Sequence, residues 1–177
     1  QKDSLNNFNK NTNILFLSDH GENLGARGLW GKSVMYEESI GIPMILVGES
    51  VPKGLVVKTP VSLIDVFPSI LDFFNIKKID GNLGESLFQI AKKKEDKKRL
   101  VFSEYHGAGA ISGVFMLRDG KYKYIHYVNF EPEFYDLETD PEELVNLATK
   151  IQYRETLKIY ENKLFSMIDP DAINDEA

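Results

Sequence analysis

Four large apolar residues, Ile14-Leu15-Phe16-Leu17, run directly into Ser18-Asp19-His20-Gly21-Glu22-Asn23-Leu24-Gly25, with Gly28-Leu29-Trp30-Gly31-Lys32 close behind. The run is too short for a helix and rich in bulky side chains, so it reads as a buried strand. Asp19, His20 and Gly21 then fall where the strand ends and the chain turns outward. In open α/β sheets, ligand sites lie outside the carboxyl ends of the strands. Two adjacent metal-ligand types there, followed by a glycine-punctuated loop carrying Arg27 and Lys32, suggest a site for a metal and an anion. An isolated Asp-His-Gly is a weak motif, and its plain reading is an Asp capping a turn beside a satisfied loop histidine.

Composition limits what such a site can be. The 177 residues suffice for one ordinary domain with a real core. With 42% hydrophobic and 27% charged residues, the chain is of globular type. No apolar run approaches the ~20 residues of a membrane span, and no charged-then-apolar leader opens the sequence. No membrane partner is therefore expected. A net charge of −6 argues against a nucleic-acid partner held by a positive field. The chain has no cysteine, which excludes disulfides, thiolate metal sites and cysteine nucleophiles within it. That fits a reducing compartment, and a cytoplasmic location is the expectation. Gly84-Glu85-Ser86 and Gly107-Ala108-Gly109 lack the strand–turn–helix setting of a nucleophile elbow or phosphate loop.

Along the chain, residues 1–12 are polar and amide-rich and read as a loop or frayed end. Residues 19–42 form a long loop with a helical turn around Val34–Ser39; loops of this length are usually functional. Pro43–Gly48 reads as a second buried strand. Ser62-Leu63-Ile64-Asp65 resembles a capping box. Leu63, Ile64, Phe67, Ile70, Leu71 and Phe74 then recur at helical spacing, with Pro68 kinking that helix or splitting off its first turn. Residues 77–84 are a loop, and 91–99 form a charge run that reads as solvated surface. Leu100–Tyr105, Val114–Arg118 and Lys121–Tyr127 read as strands. Asp119-Gly120 between the last two predicts a hairpin whose central residues take positive φ. In 134–147, a short strand leads to Asp140 as N-cap with Pro141 opening a helix. A final helix is predicted from about Gln152 to Ile168, with Leu157, Tyr160, Leu164, Phe165 and Ile168 inward, followed by a tail from Asp169.

Several segments carry a family resemblance. Leu17-Ser18-Asp19-His20-Gly21-Glu22-Asn23-Leu24-Gly25, Gly28-Leu29-Trp30, Lys32 and Tyr36-Glu37 resemble the second metal-binding segment of the sulfatases, in the alkaline phosphatase superfamily. Phe134-Tyr135-Asp136-Leu137-Glu138-Thr139-Asp140-Pro141-Glu142-Glu143-Leu144 with Asn146-Leu147 resembles a segment near the sulfatase C-terminus. The Asp-His form with Gly-Leu-Trp looks most like the branch holding choline sulfatases and phosphonate monoester hydrolases, and the run Glu104-Tyr105-His106-Gly107 and the Asp169–Asn174 segment resemble choline sulfatases. Sulfatases attack sulfur with a formylglycine made from a Cys or Ser in a C/S-x-P-x-R segment near their start. No such segment occurs here, so the resemblance is to a C-terminal portion.

The resemblance implies an α/β, alkaline-phosphatase-like fragment: the end of a large mixed sheet in residues 1–90, plus a small C-terminal antiparallel α+β subdomain in 91–177. It implies Asp19 and His20 as ligands of a divalent metal, Ca or Mn, and Lys32 as a catalytic and sulfate-binding cation. Glu104 and His106 become substrate-binding candidates, since a carboxylate and aromatic faces suit a quaternary ammonium; their plain reading is a strand-end cap. Arg27 is expected to pair with Glu22 or touch substrate. Trp30 could pack the metal loop or line the pocket, with packing the expectation, and His126 is expected to be an ordinary strand residue. Expected partners are a small sulfated substrate, the N-terminal portion bearing formylglycine, and a second copy in a homo-oligomer. Alternatives are a phosphonate or phosphate ester hydrolase of the same superfamily, or a non-catalytic interaction domain on the same scaffold.

Overall fold

The computed structural model describes residues 12–49, 51–107 and 109–177. The expectation for residues 1–11 lies outside the described residues. The chain falls into two compact units, one built from residues up to Gly21 with Gly41–Val57 and Val61–Glu95, the other from Glu22–Ile40, Lys58–Pro60 and Asp96–Ala177. The architecture is mixed α/β with antiparallel sheets.

In the first unit, β1 (Ile14–Leu17) pairs antiparallel with β2 (Met44–Val47), Ile14 opposite Val47 and Phe16 opposite Ile45. Side chains alternate across a strand. Here that alternation leaves Ile14, Phe16, Ile45 and Val47 on the exposed positions. The strands are where the apolar runs predict them, but one set of their side chains is exposed rather than buried. Ser62 opens a capping box: its backbone N–H donates to Asp65 Oδ2 at 2.9 Å. Leu63–Asp65 form a 3-10 turn that passes into α2 (Val66–Phe73), so Pro68 lies in the first turns of the helix and the early part is a separate turn. α1 is the single turn Glu37–Ile40 of the second unit. Of the apolar positions that predict the 62–74 helix, Leu71 is buried; Ile64, Phe67, Ile70 and Phe74 stay exposed. α3 (Leu87–Lys92), which the sequence reading left unassigned, is joined to α2 by buried polar contacts. Leu87 N–H donates to Ser69 Oγ at 2.8 Å, and Ser86 Oγ to Asp72 Oδ2 at 2.6 Å. Gly84 owes its place to packing, because a Cβ there would overlap the Ile64 carbonyl oxygen.

The second unit is a four-stranded antiparallel meander, β3 (Val101–Tyr105), β4 (Val114–Arg118), β5 (Tyr122–Tyr127) and β6 (Glu133–Asp136). Successive residues of β4 and β5 feed two cores. Phe115, Leu117, Tyr124 and Phe134 pack with Tyr160 and Leu164 of α4 (Arg154–Met167). Val114, Met116, Ile125 and Tyr135 pack with Met35 and Tyr36. Residues 22–40 thus cover one face of the meander and α4 the other.

Four expectations change in this unit. The β4–β5 hairpin forms, but neither Asp119 nor Gly120 has positive φ. Its turn is closed by the Asp119 side chain, whose Oδ1 accepts from the N–H groups of Lys121 and Tyr122, both at 2.8 Å. The Asp-Gly pair therefore works as an Asx-type turn. Asp140 caps no helix: its carboxylate accepts from Leu144 and Val145 N–H at 3.1 and 2.9 Å and closes a turn. Residues after Asp169 are α5 (Pro170–Glu176), not a tail. Asp169 accepts from Ala172 N–H at 3.1 Å, and Pro170 starts the helix. On α4, Tyr160 and Leu164 are inward as expected, while Phe165 is exposed.

Candidate functional site

Asp19 and His20 lie just past β1, where the extended chain ends and both side chains can reach the same space. His20 N–H donates to Asp19 Oδ1 at 3.0 Å, and Ser18 Oγ donates to the His20 carbonyl at 2.8 Å. His20 Nδ1 is 2.7 Å from the Gly21 carbonyl. A carbonyl only accepts, so Nδ1 bears the proton. In the neutral ring Nε2 then presents its lone pair, 3.3 Å from Asp19 Oδ2. Burial pushes the Asp19 carboxyl up, but the backbone N–H groups of Asp19 and His20, the imidazole and Ser18 outweigh it and hold it below the usual carboxylate value. Two electron-pair donors at this separation suit one cation: neighbouring ligands of a metal bound at 2.1–2.5 Å stand about 3 to 3.5 Å apart. A ring N–H tied to a backbone carbonyl is also how metal-binding imidazoles are usually oriented. The residues present fit a divalent metal, although among the described residues no three His, Asp or Glu side chains converge.

Lys32, Glu104 and His106 belong to the second unit. The loop leading to Lys32 is closed by its own backbone: Asn23 N–H donates to Gly31 O at 3.0 Å and Gly25 N–H to Leu29 O at 2.9 Å. Gly31 N–H donates to Glu22 Oε1 at 2.6 Å. Leu24 and Arg27 take positive φ beside Gly25, Gly28 and Gly31, a conformation glycines permit at little cost. Beyond the loop, Ser39 Oγ donates to the Lys32 carbonyl. Ser33 Oγ and Tyr105 hydroxyl are 2.9 Å apart. That bond brings the segment after Lys32 to the end of β3, where Glu104 Oε2 stands 3.7 Å from His106 Nε2. His106 packs edge-on against Phe115, with ring centroids 5.1 Å apart.

Arg27 does not pair with Glu22. Its guanidinium donates to the carbonyls of Glu143, at 2.8 Å, and Glu142, lies 3.5 Å from Glu38, and sits 4.2 Å over the Tyr36 ring. Trp30 does not pack down either. It is 78% exposed, with its ring edge against Gly25.

Lys123 is the residue the sequence reading passed over. Strand alternation places it on the Ile125 face of β5, fully buried. Its ammonium reaches Glu143 Oε1 at 2.6 Å, Glu37 Oε1 at 2.7 Å and the Met35 carbonyl at 3.0 Å. Glu143 Oε2 accepts from Glu37 N–H at 2.7 Å. Burial pushes the Glu143 carboxyl above its ordinary value, with Lys123 and the Glu37 N–H pulling the other way. A buried cation is tolerated only when paired and hydrogen-bonded, and this one fastens residues 35–37 to the 140–147 turn. The signal was present: a lysine between two tyrosines in an apolar strand, and two glutamates in family-like segments with no assigned task.

Solved structures share this fold. The chain superposes on BT1596, a 2-O GAG sulfatase, with TM-score 0.81 and 27% identity, covering 90% of this chain and 36% of that one. On BT4656, in complex with its substrate D-glucosamine-2-N,6-O-disulfate, the TM-score is 0.72 at 27% identity, over 96% of this chain and 39% of that one. The fold is that of the sulfatases, which are sulfuric ester hydrolases. The chain belongs to the N-sulphoglucosamine sulphohydrolase C-terminal family, whose model matches residues 25–169. Arylsulfatase K of Danio rerio is 32% identical over 171 residues, covering 92% of this chain and 32% of the relative. The chain thus spans about a third of the length of the curated relatives it matches.

Proposed function

We propose that this chain is the C-terminal part of a sulfatase that hydrolyses sulfate monoesters, supplying two metal ligands and a sulfate-binding lysine to a nucleophile carried elsewhere in the polypeptide. The observation that carries the reading is the Asp19–His20 pair, an ionised carboxylate 3.3 Å from an imidazole nitrogen whose other nitrogen is tied to Gly21. A divalent cation held there, calcium or manganese, would neutralise charge on the sulfuryl oxygens. Asp19 favours a hard cation through oxygen, and the His20 nitrogen moves the preference toward manganese. Lys32, a compact charge on a flexible stem, binds the sulfate oxygens and stabilises negative charge on the departing oxygen. The backbone-closed loop fixes the origin of that stem, which limits reorganisation during the reaction.

For the alcohol part of the substrate we favour a sulfated sugar, supported by the likeness to a sulfatase solved with a sulfated glucosamine. Choline sulfate is a second reading, favoured by the half-exposed Glu104 carboxylate beside Tyr105 and His106. Joined to the nucleophile-bearing portion, the chain is expected to release sulfate from both simple and sugar sulfates. Lys32→Ala should lower kcat by about 100-fold or more, as for loss of one transition-state charge contact. Asp19→Asn should weaken manganese binding measured by calorimetry. Sulfate release indifferent to Lys32 would remove it from the machinery; unchanged metal affinity in Asp19→Asn would remove Asp19.

A further inference from the structure

Trp30 is the chain's single tryptophan and one of its most exposed large side chains, at 78%. Its backbone is nevertheless fixed on both sides. Leu29 O accepts from Gly25 N–H at 2.9 Å, and Gly31 both accepts from Asn23 N–H and donates to Glu22. Below the indole edge lies Gly25, held at φ 91°, with the ring 3.6 Å from where a Cβ would stand, an ordinary van der Waals distance. Among the described residues no second ring pairs with Trp30 and nothing accepts from its indole N–H. The loop therefore presents a rigid flat apolar face in water, two residues before the sulfate-binding candidate Lys32.

We propose that Trp30 is the platform on which the ring of a sulfated sugar lies while Lys32 engages its sulfate, an inference that rests on the sulfatase reading above. An aromatic face is electron-rich, and the axial C–H groups of a pyranose carry partial positive charge, so the two stack without needing a second aromatic wall. A quaternary ammonium is instead held best inside a cage of several rings, which a solitary indole does not supply. Fixing the loop in advance lowers the ordering cost of that contact. The free indole N–H remains available to a ring or hydroxyl oxygen of the sugar.

The test compares kcat/KM on a sulfated glucosamine and on ethyl sulfate in the full-length enzyme. Trp30→Ala is expected to lower the sugar-to-ethyl ratio roughly 3- to 10-fold, mainly through KM on the sugar, the size of one aromatic contact. Trp30→Phe should restore part of it. The fluorescence difference between wild type and Trp30→Phe should be quenched by iodide and protected by sulfated glucosamine, a readout independent of turnover. A ratio unmoved in Trp30→Ala, or a Trp30 signal that iodide does not reach because protein covers the ring, overturns the platform. Enzyme that releases sulfate from neither ester contradicts the sulfatase reading itself, and the platform falls with it. A drop of equal size when choline sulfate replaces the sugar overturns the sugar assignment alone.

Discussion

His126 stands on β5 with its ring edge-on to Phe165, centroids 5.3 Å apart, and with Nδ1 3.4 Å from the Tyr124 hydroxyl. Burial disfavours its charged form, and the carboxylates of Asp171 and Glu161 offset this only in part, so its pKa lies below the ordinary 6.5. As pH falls from neutrality the unfolded chain takes up this proton before the folded one. Stability is therefore present above the ordinary histidine value and is lost as pH falls toward the folded one. His126→Phe is expected to flatten the fall in Tm between about pH 7 and pH 5; a slope identical to wild type would assign that fall to other groups. At this scale the sequence was informative where partners are neighbours in the chain. Asp19 and His20 are adjacent, and their contact follows from local geometry. Arg27 was misread because its partners Glu142 and Glu143 lie more than a hundred positions away, and no local pattern reports such a separation.

Elements were legible where apolar periodicity is strong and obscure where polar side chains do the work. β3, β4 and β5 follow from their apolar and aromatic runs, and α4 from its helical spacing. The hairpin turn was placed correctly but for the wrong backbone reason, because Asp119 rather than positive φ closes it. Its Oδ2 also accepts from the buried Tyr160 hydroxyl, so one carboxylate joins the β4–β5 turn to α4. Asp119→Ala should cost about 1–3 kcal/mol, since it strands a buried hydroxyl and two turn N–H groups. Urea denaturation read by circular dichroism would measure it, with Asp119→Asn expected to lose less. A loss near zero would mean that water replaces the carboxylate. α5 was missed because Asp169-Pro170 sits in an acidic stretch of low apolar content, although an Asp N-cap before Pro at the first position is itself a start signal.

At the scale of the whole molecule, the first unit leaves Ile14, Phe16, Ile45 and Val47 in water, with Phe67, Ile70 and Phe74 of α2 also exposed. Apolar surface of this kind favours association, and among the described residues β1 and β2 pair with no third strand, which invites strand pairing. The isolated chain is expected to self-associate with rising concentration in sedimentation velocity, and Phe16→Glu with Ile45→Lys to shift it toward monomer. A chain that stays monomeric at high concentration without those changes would show that this surface is not adhesive. The apolar runs announce the strands, but not which face lacks a cover, because composition cannot say what else a polypeptide will lay against them.

The stapling of residues 27–38 by Lys123, Glu142 and Glu143 has a consequence for biosynthesis. The segment bearing Lys32 is synthesised before the groups that lock it: Lys123 lies 88 positions beyond Met35, and Glu142 and Glu143 lie 115 and 116 beyond Arg27. Until then it has no fixed seat. A premature stop just ahead of Glu142 would leave Lys32 and Lys123 in the product but neither of the two glutamates that, with Lys123 and Arg27, hold the segment around Lys32. An error late in this stretch of the message thus becomes an error in chemistry encoded well upstream of it.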